Sequence, residues 1–233
     1  MKQVYDFLSC LQENNNREWF NSHKDEYKQV QAYFNSFVES LIYEISLWDK
    51  DICDSNLQIK DCTYRIYKDL RFSKDKLPYK THMGAYICKG GKKSEYSGYY
   101  FHIEPKGEGE HSYLGGNLLA CGLYCPSAQI IRSVRDEVYV NGSSFLNAMS
   151  AGAQRGFVLD NSSALKKVPK GFEDVRLQWA DLLKQKDYCL VKNVTKEYVL
   201  GENLLERVVE DFKCTYEFNR ILNLAVDFAL EEM

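Results

Sequence analysis

At 233 residues and 45% hydrophobic content the chain is long enough to bury one sizeable core, and 17 Tyr, 12 Phe and only four Pro exclude a disordered or Pro-rich linker class. A formal net charge of −3 argues against bulk attraction to nucleic acid. No stretch approaches the roughly 20 apolar residues that span a bilayer, and MKQVYDFLSCLQENNN carries no apolar h-region, so a single cytoplasmic domain without a membrane segment is expected.

The elements follow in chain order. A short helix is predicted around Val4 to Leu11. Asn15, with Glu18 three residues on, reads as a capping box that starts a longer one. Phe20, His23, Tyr27, Val30, Phe34, Phe37, Leu41, Ile45 and Trp48 recur at steps of three or four and predict one continuous helix, followed by a loop from Asp49 to Asn56. From Asp61 the period becomes two, which predicts a strand with Tyr64, Ile66, Leu70 and Phe72 inward and Arg65, Tyr67, Asp69 and Arg71 outward.

Further strands are predicted at Gly84 to Lys89, Gly98 to Glu104 and Leu118 to Tyr124, joined by the Gly90-Gly91 turn and the glycine-rich loop 106–117. A helix from Pro126 to Tyr139, another through Met149, a helical turn over Leu177 to Lys184 and an extra strand at Tyr188 to Val191 come next. Leu204 to Phe212 and Phe218 to Phe228 form two closing amphipathic helices. The fold class is therefore α+β: a mainly antiparallel sheet, strands within 61–125, packed by a long N-terminal helix and the C-terminal helices.

Cationic residues are concentrated in one place. Residues 64–93 hold nine Lys or Arg against two Asp, a local +7 that leaves −10 for the remainder. Arg65 and Arg71, on one side of the expected strand, are suited to grip a carboxylate or phosphate, with Asp69 holding one guanidinium in orientation; the alternative is an ion-pair ladder without function. Tyr67, Lys76, Tyr79 and Lys80 extend this surface, Tyr79 as a lid or stacking ring beyond the turn made by Asp75 and Pro78.

The same parity puts Tyr100, His102 and Glu104 on one strand face. His102 is the acid/base candidate, Glu104 the group that fixes its tautomer; the alternative is a hydrogen-bonded imidazole lying against a helix. His23 sits in the helical stripe, where a satisfied core histidine is the simpler reading. The four histidines, at 23, 82, 102 and 111, form no metal-binding pair at short spacing. A metal would need His82, His102 and Glu104 to converge from separate strands, and no metal or cofactor is assigned.

Other motif-like strings fail. Ser73 to Lys76 fits Ser-x-x-Lys, but so does Ser163 to Lys166, and Lys80-Thr81 is followed by His82 where acyl-enzyme families need Gly. Gly90 to Ser94 lacks the P-loop spacing, and Gly107-Glu108-Gly109 lacks the third glycine of a dinucleotide fingerprint. Eight scattered cysteines contain no Cys-x-x-Cys pair and read as reduced thiols; Cys121 and Cys125, about 13 Å apart by strand rise, cannot clamp one zinc.

NNNREWFNSHKDEY at 14–27, YRIYKDLRFSKDKLPYKTH at 64–82, GYYFHIEP at 98–105, GLYCP at 122–126 and LKKVPKGFE at 165–173 resemble a family of uncharacterised conserved proteins of bacteria and fungi, classed as a domain of unknown function. The resemblance runs nearly end to end and implies one stand-alone domain, but it supplies no substrate. This chain departs from the family in a longer stretch, KGEGEHSYLGGNLLAC, between the GYYFHIEP and GLYCP strands.

The expected function is binding of an anionic small molecule, with hydrolysis or transfer as the chemistry if there is any. The alternative is a nucleic-acid-binding module, since Lys and Arg interleave with Tyr64, Tyr67, Phe72, Tyr79, Tyr96, Tyr99 and Tyr100. A second alternative is a non-catalytic scaffold. The residues fix no oligomeric state.

Overall fold

The computed structural model describes residues 1–71, 76–105 and 114–231. Phe72 and the Ser73-to-Asp75 end of the expected turn, the glycines at 107 and 109 and His111 lie outside the described residues.

Helix α1 (Lys2–Glu13) buries Val4, Phe7, Leu8 and Leu11 on one face. Asn16, not Asn15, caps α2 (Arg17–Ser22), accepting from the Trp19 N–H at 2.9 Å. The continuous helix expected from Phe20 onward is broken at His23 (φ −107°, ψ 18°), after which α3 (Lys24–Ser46) resumes the stripe and buries Tyr27, Val30, Phe34, Val38, Leu41 and Ile45. The His23 ring explains the break: it stacks on Trp19 at 4.0 Å while Nδ1 lies 2.8 Å from the Trp19 carbonyl, a side-chain contact that competes with the helical ladder. Part of the expected loop 49–56 is helical, because Asp49 caps α4 (Lys50–Asp54); α5 (Ile59–Cys62) follows.

Over Tyr64 to Arg71, the described part of the strand predicted to run to Phe72, no strand of the sheet forms. Thr63 bridges Ala85 and Tyr67 bridges Tyr79, each in isolation. Between those points the chain forms a narrow ribbon, in which Lys68 N–H donates to the Pro78 carbonyl at 3.0 Å and Lys80 N–H to Ile66 at 2.8 Å. The ribbon leaves the sheet because its aromatic pair has a better partner: Tyr79 stacks on Phe20 at 3.9 Å, with Tyr67 at 5.8 Å from the same ring. Among the described residues of the predicted inward face, Ile66 is buried as expected, Leu70 is half-buried and Tyr64 is exposed.

Strands β1 (Met83–Cys88), β2 (Gly98–Ile103), β3 (Leu118–Leu123), β4 (Val158–Leu159) and β5 (Tyr188–Asn193) form one sheet in the order β1-β2-β3-β5-β4, all pairs antiparallel. It extends beyond 61–125 because β5 pairs with the free edge of β3 and β4 with β5. The β1–β2 hairpin turns through Gly90 and Gly91 at φ +74° and +82°, a conformation that glycine adopts without strain.

The expected pair of helices after Pro126 is one, α6 (Ala128–Gln154), capped by Ser127 and kinked at Asn141, where the sequence break was read. A single 3₁₀ turn (Leu177–Trp179) leads into α7 (Ala180–Leu183), and α8 (Lys196–Leu200), α9 (Leu204–Lys213) and α10 (Tyr216–Glu231) complete the chain. The helices cover one sheet face. Phe101 meets Phe34 and Phe37, and Tyr99 meets Trp48 and Phe212. On the other face Tyr86, Tyr100 and Ala120 keep partial exposure. That asymmetry gives this α+β fold one face committed to the core and one able to carry a site.

Candidate functional site

The face turned away from these helices carries Gly84, Tyr86, Tyr100 and His102, of which Tyr86 and Tyr100 are partly exposed and Gly84 and His102 buried; they alternate with the core residues of β1 and β2. Gly84 lies opposite His102. A Cβ at Gly84 would sit 2.6 Å from the Tyr100 hydroxyl, so the missing side chain leaves room for the tyrosine ring to lie across the hairpin. Continuing the register one residue past Met83 and Ile103 sets His82 opposite Glu104.

The three residues whose convergence a metal would need therefore meet. Ligand atoms of His82, His102 and Glu104 all lie within 4.8 Å of one another, and the rings of His82 and His102 are 4.8 Å apart. His102 and Glu104 are fully buried; His82 and Tyr100 are half-buried and give the cluster its contact with solvent. His102 is held at both ends: Nδ1 is 2.9 Å from the Tyr100 hydroxyl and Nε2 is 3.2 Å from Glu104 Oε2. The same carboxylate oxygen accepts from Leu114 N–H at 3.0 Å, and the Glu104 N–H donates to Asn117 Oδ1 at 3.0 Å. With both ring nitrogens engaged, the plane of the His102 ring is fixed, while His82 keeps partial exposure with its Nδ1 buried.

Burial, then the neighbouring His102 ring, push the His82 pKa down to about 3; Glu104 opposes this, while Lys80 and Lys68 add to it. Lys80 is itself held below its ordinary value, first by burial and then by Arg65. Lys80 and Lys68 thus act electrostatically on His82, and Arg65 on Lys80. The Lys80 ammonium lies 5.4 Å over the Tyr64 ring, and Lys92 approaches the same ring at 5.8 Å.

The chain itself belongs to a recognised group. The model of the DUF2461 family, described as conserved hypothetical proteins, matches residues 3–220. The chain is a DUF2461 protein. No curated protein and no solved structure matches it. Among the described residues no helix is long and apolar enough to cross a membrane.

The predicted Arg65–Arg71 clamp does not form on a sheet face. Arg71 is exposed and its fork is taken by Asp69, with Nε to Oδ1 at 3.0 Å and Nη2 to Oδ2 at 2.6 Å, while its N–H also donates to Asp69 Oδ1 at 3.2 Å. Side-chain and backbone hydrogen bonds from Arg71 hold the Asp69 carboxyl below its ordinary range. Asp69 is therefore a partner of Arg71 on the ribbon and not a member of the His102 cluster, as the local ladder reading has it. Lys76 is exposed and donates to the Leu70 carbonyl at 3.3 Å. Tyr79 is no lid: it is buried against Phe20.

Sequence reasoning missed what braces the site. Asn15 is buried and holds the Tyr79 backbone from both sides, Nδ2 to the carbonyl at 2.9 Å and Oδ1 from the N–H at 3.1 Å. Gln12 Nε2 donates to the Pro105 carbonyl at 2.8 Å, just past Glu104. Helix α1 and its exit loop thereby grip both chain segments that carry the cluster. Lys68 and Asn117 were missed as well; the available signal was parity, since Lys80, His82 and Gly84 alternate as Tyr100, His102 and Glu104 do.

Proposed function

We propose that this DUF2461 protein binds a phosphate- or carboxylate-bearing small molecule at the mouth of the His82–His102–Glu104 cluster, in the cytoplasm. Lys80, Lys68 and Arg65 supply the positive field, and the imidazole–carboxylate pair behind them is available for hydrolytic or transfer chemistry. The observation that carries this reading is the crowding of cations with imidazoles at a half-buried position. Like charges brought together out of bulk water repel, and an anion entering between them relieves that repulsion and gains charge-assisted hydrogen bonds. Eight cysteines that remain free thiols fit a reducing compartment.

The test is the melting temperature of the purified, chelator-treated protein against phosphate, nucleotides, sugar phosphates and organic acids. At 100 times its Kd a ligand adds about 2.7 kcal/mol of stability. Lys80→Ala should abolish the shift and Arg71→Ala should preserve it. No shift from any of these anions, or a shift lost in Arg71→Ala and kept in Lys80→Ala, defeats the proposal.

A second reading rests on Tyr64 and Tyr67, both exposed, with Lys80 and Lys92 over the Tyr64 ring. These are the parts of a short stacking platform for single-stranded nucleic acid. The platform is smaller than the sequence implied, since Tyr79 and Tyr99 are buried. Oligonucleotide binding at about 50 mM salt that weakens steeply with added salt selects this reading; its absence removes it.

A further inference from the structure

From the geometry of the cluster we infer that His82, His102 and Glu104 form a binding site for one divalent first-row transition-metal ion, zinc or iron(II) in preference to magnesium or calcium. The inference goes beyond the anion reading and does not rest on it.

The donor set comes first. Two imidazoles and one carboxylate are the ligands that zinc and iron(II) favour, whereas magnesium and calcium take oxygen donors. Distance comes second. Donors about 2.1 Å from a tetrahedral ion stand about 3.4 Å from each other. His102 Nε2 and Glu104 Oε2 are 3.2 Å apart, so one pair of donors already has the required spacing. The three ligand atoms span at most 4.8 Å, and His82, outside the close His102–Glu104 pair, is the member that would close on the ion.

The outer shell is third. A ligating imidazole ordinarily has its second nitrogen hydrogen-bonded, which fixes its tautomer and ring plane. Tyr100 does this for His102, and Leu114 N–H does the equivalent for Glu104. Gly84 leaves space for the Tyr100 ring, so the support is built into the hairpin register. Three protein ligands leave at least one coordination position for solvent or a substrate oxygen, and a dication with one carboxylate leaves a net positive centre beside Lys80.

The experiment uses the full-length, tag-free chain stripped with a chelator, titrated with cobalt(II) and zinc(II) alone, without any anionic ligand. We expect one equivalent per chain by calorimetry and cobalt absorption bands in the visible. His82→Ala should weaken binding by 100-fold or more, and since His82 is half-buried this variant should retain the wild-type circular dichroism. Glu104→Gln should do the same, and Arg71→Ala should leave binding unchanged. Absence of stoichiometric binding, or one equivalent that persists in both His82→Ala and Glu104→Gln, overturns the inference. The anion test is run in chelator and this one without anions, so either can fail alone.

Discussion

The Arg65–Asp69–Arg71 ribbon and the His82–His102–Glu104 cluster are built in opposite ways. In the ribbon the charges are dense in sequence and exposed, and Asp69 and Arg71 pair with each other two residues apart. In the cluster they are sparse in sequence and buried, and the register of one hairpin brings them together. An ion pair in water contributes little, because both charges are solvated with or without each other. A histidine and glutamate withdrawn from solvent carry a desolvation penalty that hydrogen bonds such as those from Tyr100 and Leu114, their mutual geometry or a bound ion must offset. Density of charge along a chain is thus a poor guide to a site. Convergence of costly groups is a better one.

The sharpest way to break this contrast is to remove one carboxylate from each region. Glu104→Ala leaves the Leu114 N–H and His102 Nε2 without this acceptor in a buried place, an expected loss of about 3 kcal/mol. For a chain this size that is a fall in Tm of about 6–12 °C. Asp69→Ala, by comparison, should leave the Tm unchanged within error, since Arg71 remains in water. Equal effects in a thermal melt would show that the two regions do not differ in kind.

Much of the fold was legible because local periodicity encodes it. The α3 stripe and the β1, β2 and β3 segments fall where steps of 3.6 and 2 put them. The same period of two misled at Tyr64 to Phe72, because alternation says only that residues face opposite ways, not that a sheet edge receives them. Phe20 received Tyr79 and Tyr67 instead, and that contact spans more than forty residues of chain. The break at His23 depends on a ring and a carbonyl four residues apart that no hydrophobic pattern records. Within the site, the shared face of Tyr100, His102 and Glu104 was readable from parity. Pairing of His82 with Glu104 required the exact register across the Gly90-Gly91 turn, and a one-residue slip would have reversed it.

A smaller effect tests whether the two regions are coupled through the N-terminal helices. Asn15→Ala removes two buried hydrogen bonds to the Tyr79 backbone, for about 2 kcal/mol. Lys80 is the next residue, so the anion-dependent rise in Tm should shrink in this variant, while zinc binding, which uses His82 and β2, should persist. If Asn15→Ala leaves both stability and the anion response at wild-type levels, the ribbon is held by Phe20 stacking alone.

The smallest effect concerns a buried carboxylate that the fold explains without any ligand, and it calibrates what is special about Glu104. Asp49 caps α4 through Asp51 and Ile52 N–H groups and accepts from the Tyr99 hydroxyl at 2.7 Å, on the helix-covered face. Burial holds its carboxyl above the ordinary value of 3.8, against the pull of Tyr99 and the backbone donors. A raised native pKa means that the folded state binds the proton more readily than the unfolded one, so this group's contribution to stability falls as pH rises from 3.8 through the raised value and is flat above it. Asn in place of Asp49 keeps an acceptor for the same donors but cannot titrate. Wild type minus Asp49→Asn stability, from urea unfolding at pH 4 and pH 7, should therefore be more favourable to wild type at pH 4. A difference that is constant with pH would mean that Asp49 titrates like a solvated carboxylate, and buried carboxylates in this fold, Glu104 included, would lose their claim to be energetically distinct from Asp69.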